Sequence, residues 1–188
     1  MIPVLGFRDP PRWRAWLARN HRKSEGIWLK IQKKGAPGRS VTYAEALDEA
    51  LCFGWIDGQK KSHDEAAFLQ KFTPRRSRSI WSKRNIEHCE RLIAAGKMET
   101  SGQTQIDAAK QDGRWAQAYD PPSRSAPPED LVRALSRNRR AREFFERLDR
   151  ANRYAITWRL QTAKRPETRA RRLEGFVQML AEGRKLHP

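Results

Sequence analysis

The stretch DPPSRSAPPED, Asp120–Asp130, holds four prolines and two serines and decides how the chain divides. Proline fixes φ and removes a backbone donor, so such a run neither continues a helix nor joins a central strand. It reads as an extended connector, residues 121–129. Beyond it, over residues 130–188, apolar side chains recur only at helical spacing. Leu131, Val132 and Leu135 start the pattern, then Phe144, Phe145 and Leu148, then Tyr154, Ala155, Trp158 and Thr162. Pro166 opens a last helix in which Leu173, Phe176, Val177 and Leu180 form one stripe, closed by Gly183.

The other side of the connector, residues 1–120, mixes periods. Asp9 before Pro10 and Pro11 marks a helix start, and Trp13, Trp16 and Leu17 give that helix an apolar stripe. From Gly26 to Lys34, Ile27, Leu29 and Ile31 alternate with other residues, as in a strand with one buried face. Thr42 with Glu45 is a capping box, followed by a helix carrying Tyr43, Leu47, Ala50 and Leu51 and ended by Gly54. Trp55–Ser62 and Ala66–Thr73 read as two strands turning at His63–Asp64. Ser79 or Ser82 can cap a helix lined by Ile86, Cys89 and Ile93, and a shorter helix spans about Gly102 to Gln111. The expected fold class is α+β: a small mixed N-terminal part with a short antiparallel sheet and helices, then an all-helical C-terminal part.

The chain has 188 residues, a mean hydropathy of −0.90, and seven Trp and seven Phe, too many large apolar side chains for a solvated tail. Its net charge is +17. Residues 1–128 hold 23 basic and 14 acidic residues, residues 129–188 hold 16 and 8, so both parts are basic at +9 and +8. Such a balance points to a polyanionic partner, nucleic acid first. Cys52 and Cys89 form no CxxC pair and read as reduced thiols. With no signal-peptide pattern at the start and no run of 18 apolar residues, the expected location is the cytoplasm, with no membrane partner. The four histidines are scattered, and neither a phosphate-cradling glycine loop nor a GxSxG occurs. No metal, no cofactor and no catalytic residue is assigned.

Three places invite chemistry. In FTPRRSRSIWSKRN, Phe72–Asn85, the cations Arg75, Arg76, Arg78, Lys83 and Arg84 alternate with Ser79, Ser82 and other hydroxyls around Trp81. Guanidinium forks and hydroxyls suit phosphate oxygens, and an indole can stack a base or sugar. The same run is equally readable as a core tryptophan, a capping serine and a solvated loop. Asp57, between Trp55, Ile56 and two glycines, could serve as a base, shape the backbone with Gly58, or anchor an arginine. Arg169 precedes Leu173, Phe176 and Leu180 on one stripe, in a first turn that disfavours a cation. It requires a carboxylate, an anionic ligand with Lys164 and Thr168 as neighbours, or an escape past the helix end.

YAEALDEALCFGWIDGQKK (Tyr43–Lys61), Phe72–Asn85 and DGRWAQAY (Asp112–Tyr119) resemble the N-terminal region of the YdeI/OmdA proteins, and AKRPETRARRLEGFVQMLAEGRK (Ala163–Lys185) resembles their C-terminal OmdA module. Ile80 and Met98–Gly102 depart from the usual pattern. The resemblance implies the label bacteriocin-protection, YdeI or OmpD-associated, with no established activity. Three functions remain open: a protein binding nucleic acid or another polyanion, an enzyme acting on a small anionic substrate in a cleft between the two parts with Asp57, Arg75 and Arg169 converging, and a stress or bacteriocin-resistance interaction protein.

Overall fold

The computed structural model describes residues 1–188. The chain forms two compact units, Met1–Ala118 and Tyr119–Pro188. The first is α+β. Its elements are β1 (Val4–Gly6), α1 (Pro10–Asn20), β2 (Ile27–Gln32), α2 (Tyr43–Cys52), β3 (Trp55–Ser62), β4 (Ala67–Pro74), α3 (Lys83–Ala94) and α4 (Thr100–Gln111).

Local chemistry sets most of these boundaries. The Asp9 carboxylate accepts from Arg12 N at 3.1 Å to begin α1. Thr42 Oγ1 accepts from Glu45 N, and Glu45 Oε2 accepts from Thr42 N at 2.8 Å, completing the box that starts α2. Asp64 Oδ1 accepts from the amides of Ala66 and Ala67 at 2.9 and 2.6 Å and turns β3 into β4. Ser82, not Ser79, caps α3, accepting from Asn85 N at 3.1 Å.

The sheet runs in the order β1-β2-β4-β3. Its three long strands are antiparallel, but β1 lies parallel to β2, so the sheet is mixed rather than purely antiparallel. Ile27, Leu29 and Ile31 face the core as their alternation requires. There Trp13 stacks on Trp16 at 5.4 Å, meets Trp55 edge-on at 6.3 Å and leans on Phe72 at 5.9 Å. The N-terminal turn of α4 sits on the end of α2: Glu99 N donates to Cys52 O at 3.2 Å, and a Cβ at Gly102 would lie 2.2 Å from that carbonyl oxygen. Cys52 and Cys89 are buried free thiols, and burial pushes them up to about 11 and about 12.

The second unit is helical: α5 (Glu129–Ser136), α6 (Arg139–Arg147), α7 (Arg150–Gln161) and α8 (Pro166–Ala181). Asn138 and Asp149 cap α6 and α7, accepting from Ala141 N at 3.1 Å and Asn152 N at 2.8 Å. The core joins Leu131, Leu135, Phe145, Ile156, Leu160, Phe176 and Leu180. On α7 the buried residues are Asn152, Ala155, Ile156, Thr157 and Leu160, while Tyr154 and Trp158 are only half-buried. Of the stripe Tyr154, Ala155, Trp158 and Thr162 read from the sequence, only Ala155 is buried. Tyr154 and Trp158 both line a cavity instead.

Candidate functional site

The run Phe72–Asn85 leaves β4 and enters α3, and its members separate into two groups. Arg75 is 6% exposed: its guanidinium lies 3.5 Å over the Trp81 ring, and Nη1 donates to Ile80 O at 3.3 Å. Trp81 is 2% exposed, with Trp115 4.8 Å away. Ser82 is 8% exposed and occupied as the α3 cap. Arg75, Trp81 and Ser82 thus hold the fold together, and the Trp81 ring has no face left for a base. Ser79 closes a turn, its Oγ accepting from Arg76 N at 3.0 Å while its carbonyl accepts from Arg114 Nη1 at 3.0 Å.

The outward group is Arg76, Arg78, Lys83 and Arg84, all exposed. Arg76, Arg78 and Arg84 form no ion pair among the described residues. Arg114, itself bound to Asp112 at 2.7 Å, pins the loop from behind. The loop can offer guanidiniums to an anion, but no stacking plane.

A stacking plane stands elsewhere, at a residue the sequence reading passed over. Trp28 is on the sheet face opposite Ile27 and Leu29, beside Lys71 in the β2–β4 register. Lys61 Nζ sits 4.2 Å and Lys71 Nζ 5.8 Å from its ring centroid, and Lys30 follows on the same face. The alternation that buries Ile27, Leu29 and Ile31 contains this signal, since it obliges Trp28, Lys30 and Gln32 to face the other way.

Asp57 and Arg169 each have a partner inside their own unit. Asp57 Oδ2 accepts from the Tyr43 hydroxyl at 2.8 Å, so its anchor is a tyrosine and not an arginine. Arg169 donates to both Asp130 oxygens, at 2.7 and 2.9 Å, and to Leu160 O at 2.5 Å. A cation on an apolar stripe is thereby stabilised by a bidentate pair and a carbonyl. Lys164 is exposed and Thr168 half-buried beside it, and neither bonds that guanidinium.

The Arg169 hydrogen bonds hold Asp130 below the usual carboxylate range. At Asp48 burial acts upward, yet hydrogen bonds from Arg91 and His88, both at 2.7 Å, outweigh it and lower the carboxyl. Both groups contribute stability above about pH 4, and it is lost as pH falls through their lowered folded values. With Asp130 and Arg169 side chains 27% and 31% exposed, solvent screening keeps the pair modest. Asp130→Asn is expected to cost about 1–2 kcal/mol near pH 7. Urea midpoints measured from pH 7 down to about 3 should show the gap to the wild type closing with acid. A gap that stays constant would mean the charge pair is not its source.

No helix is long and apolar enough to cross a membrane, and no group of three or more His, Cys, Asp or Glu side chains could hold a metal ion among the described residues. No curated protein and no protein of solved structure is detectably similar to the chain. Two family models match it. Residues 5–105, which include Tyr43–Lys61 and Phe72–Asn85, match a domain of unknown function (DUF8412). Residues 126–183, which include the Asp130–Arg169 pair, match the family described as bacteriocin-protection, YdeI or OmpD-associated. Matched over more than half of its length by the first of these models, the chain belongs to the family of that domain of unknown function, and its helical unit carries the match to the bacteriocin-protection, YdeI or OmpD-associated family.

Proposed function

We propose that the protein binds nucleic acid through its phosphate backbone, with the loop Arg76–Arg84 as the main contact. The observation that carries this reading is the split within that loop. Arg75, Trp81 and Ser82 are spent on the fold, which leaves Arg76, Arg78 and Arg84 exposed without carboxylate partners, on a backbone pinned by Arg114. Guanidinium forks carried on a fixed backbone suit phosphate oxygens, and such contacts carry no sequence information. Trp28 with Lys61 and Lys71 adds a plane for an unpaired base. Exposed Arg137, Arg140 and Arg142 extend the basic surface of the helical unit.

Anisotropy of labelled single- and double-stranded 20-mers, titrated across salt, tests the proposal. Each phosphate contact on duplex adds about −0.9 to the slope of log K against log salt. Arg76→Ala, Arg78→Ala and Arg84→Ala combined should flatten that slope by roughly 2–3 and weaken all sequences alike. Trp28→Ala should weaken the single strand by about 1–3 kcal/mol and leave the duplex nearly unchanged. Arg75→Ala should lower the melting temperature, since its side chain is internal. No binding of either form at about 50 mM salt would overturn the reading.

A further inference from the structure

In the helical unit, one face of α7 borders a cavity of about 720 Å³. The size is that of a small-molecule site. Arg150, Tyr154 and Trp158 follow one another at four-residue spacing along this face, with Ala151 and Ala155 between them. The alanines leave the room, and the aromatics form the walls. Tyr119 closes the far side, its ring edge-on to Trp158 at 6.0 Å and 90°. Tyr154 is anchored by its hydroxyl, which donates to Asp120 O at 3.3 Å.

The charged side chains that line the cavity are cations, and the one carboxylate acting on its wall is Asp120, beside the Tyr154 hydroxyl. Arg150 and Arg159 both line the cavity, and no Asp or Glu does. Arg150 Nη2 donates to Pro122 O at 3.2 Å and Arg159 Nη1 to Ala155 O at 3.1 Å, both neutral carbonyls. Elsewhere in the unit Arg133, Arg139, Arg169 and Arg184 each hold a carboxylate. A guanidinium bound only to carbonyls keeps its full charge and several free N–H donors. Burial raises the Tyr154 hydroxyl to about 12, so this phenol adds no negative charge to oppose an anion.

Apolar walls alone would suit any greasy ligand, and arginines alone any anion. Together the geometry points to a site on α7 for a small planar aromatic molecule bearing one acidic group, its ring between Tyr154 and Trp158 and its anion on Arg150 and Arg159. The class includes aromatic carboxylates and nucleoside monophosphates. This site lies wholly within the helical unit and does not depend on nucleic-acid binding by the loop of the first unit.

The test uses the full chain with four probes: 2-naphthoate, AMP, neutral adenosine and inorganic phosphate, followed by calorimetry and by NMR of the Trp158 indole N–H. At least one of the two aromatic anions should saturate with a Kd below roughly 1 mM and shift that signal. Naphthoate alone binding would identify a carboxylate site, AMP alone a nucleotide site, and both a general aromatic-anion site. Adenosine and phosphate should bind at least about 10-fold more weakly, the loss of one charge-assisted contact. Arg159→Met and Arg150→Met keep the apolar stems and should each weaken the anionic probe about 10-fold with melting temperature unchanged. The proposal is overturned if neither aromatic anion saturates, if adenosine matches AMP, if phosphate alone binds as tightly, or if both methionine variants bind like the wild type.

Discussion

A Gly102→Ala variant is expected to lose about 2–4 kcal/mol of stability, although alanine is the better helix former. The added Cβ would lie 2.2 Å from Cys52 O, 2.8 Å from the Cys52 carbonyl carbon and 2.5 Å from Met98 Sδ. Met98 can move, but the carbonyl belongs to the last turn of α2, and Glu99 N already bonds it. Relief therefore requires α4 to back away from α2, opening the core around Ile106 and Ala109, both fully buried. Gly175, on α8, is the control: nothing beyond its chain neighbours and its own helix backbone lies within 4 Å of its Cβ position, and its φ is not positive. Gly175→Ala should gain about 0.5–1 kcal/mol from the reduced freedom of the unfolded chain. Urea unfolding of the two variants should move in opposite directions, and a common direction would mean that contact at Gly102 does not decide the outcome.

Trp13→Ala is expected to cost about 3–5 kcal/mol, the range for deleting a large buried aromatic. Trp13 is fully buried and touches Phe7, Trp16, Trp55 and Phe72. Its indole N–H also donates to Ala46 O at 3.0 Å, joining α1 to α2. Substitution leaves a void between a helix layer and the sheet that neither can fill without shifting. Trp13→Phe keeps most of the ring and loses the hydrogen bond, so about 1–2 kcal/mol is expected. Near-UV circular dichroism, dominated by the packed indoles, should collapse in the alanine variant and persist in the phenylalanine one. Retention of the full aromatic signal by Trp13→Ala would show that the cluster is not organised around this ring.

Much of the fold is written in short-range signals. Asp9 with two prolines, the Thr42–Glu45 box, and the alternation of Ile27, Leu29 and Ile31 act within a few residues and are visible without any partner. Asn138 and Asp149 belong to the same class and mark where the helical unit breaks, Asn138 between its first and second helices and Asp149 between its second and third. β1 escapes such reading because three residues carry no period, and only the backbone of β2 makes Val4–Gly6 a strand. The candidate loop was legible as a cluster of cations, but not in its division. Whether Trp81 faces water or core depends on Trp115, thirty-four positions away, and the burial of Arg75 depends on Trp81 in turn. Composition describes the run alike in both cases. The partner of Arg169 was foreseeable in kind, as a buried cation needs an acceptor, but Asp130 lies thirty-nine positions earlier and no local spacing marks it.

The sheet described above has two outer strands, and each is closed to a foreign strand in its own way. β1 exposes only three residues of backbone, too few to template a ladder. β3 is longer, but its register slips between Asp57 and Lys60, and Gly58–Ser62 is exposed with Lys60 and Lys61 side by side. An incoming chain would meet an irregular hydrogen-bonding line and two desolvation penalties at once. The lysines of this edge therefore oppose intermolecular strand pairing, the role of gatekeepers against β-aggregation.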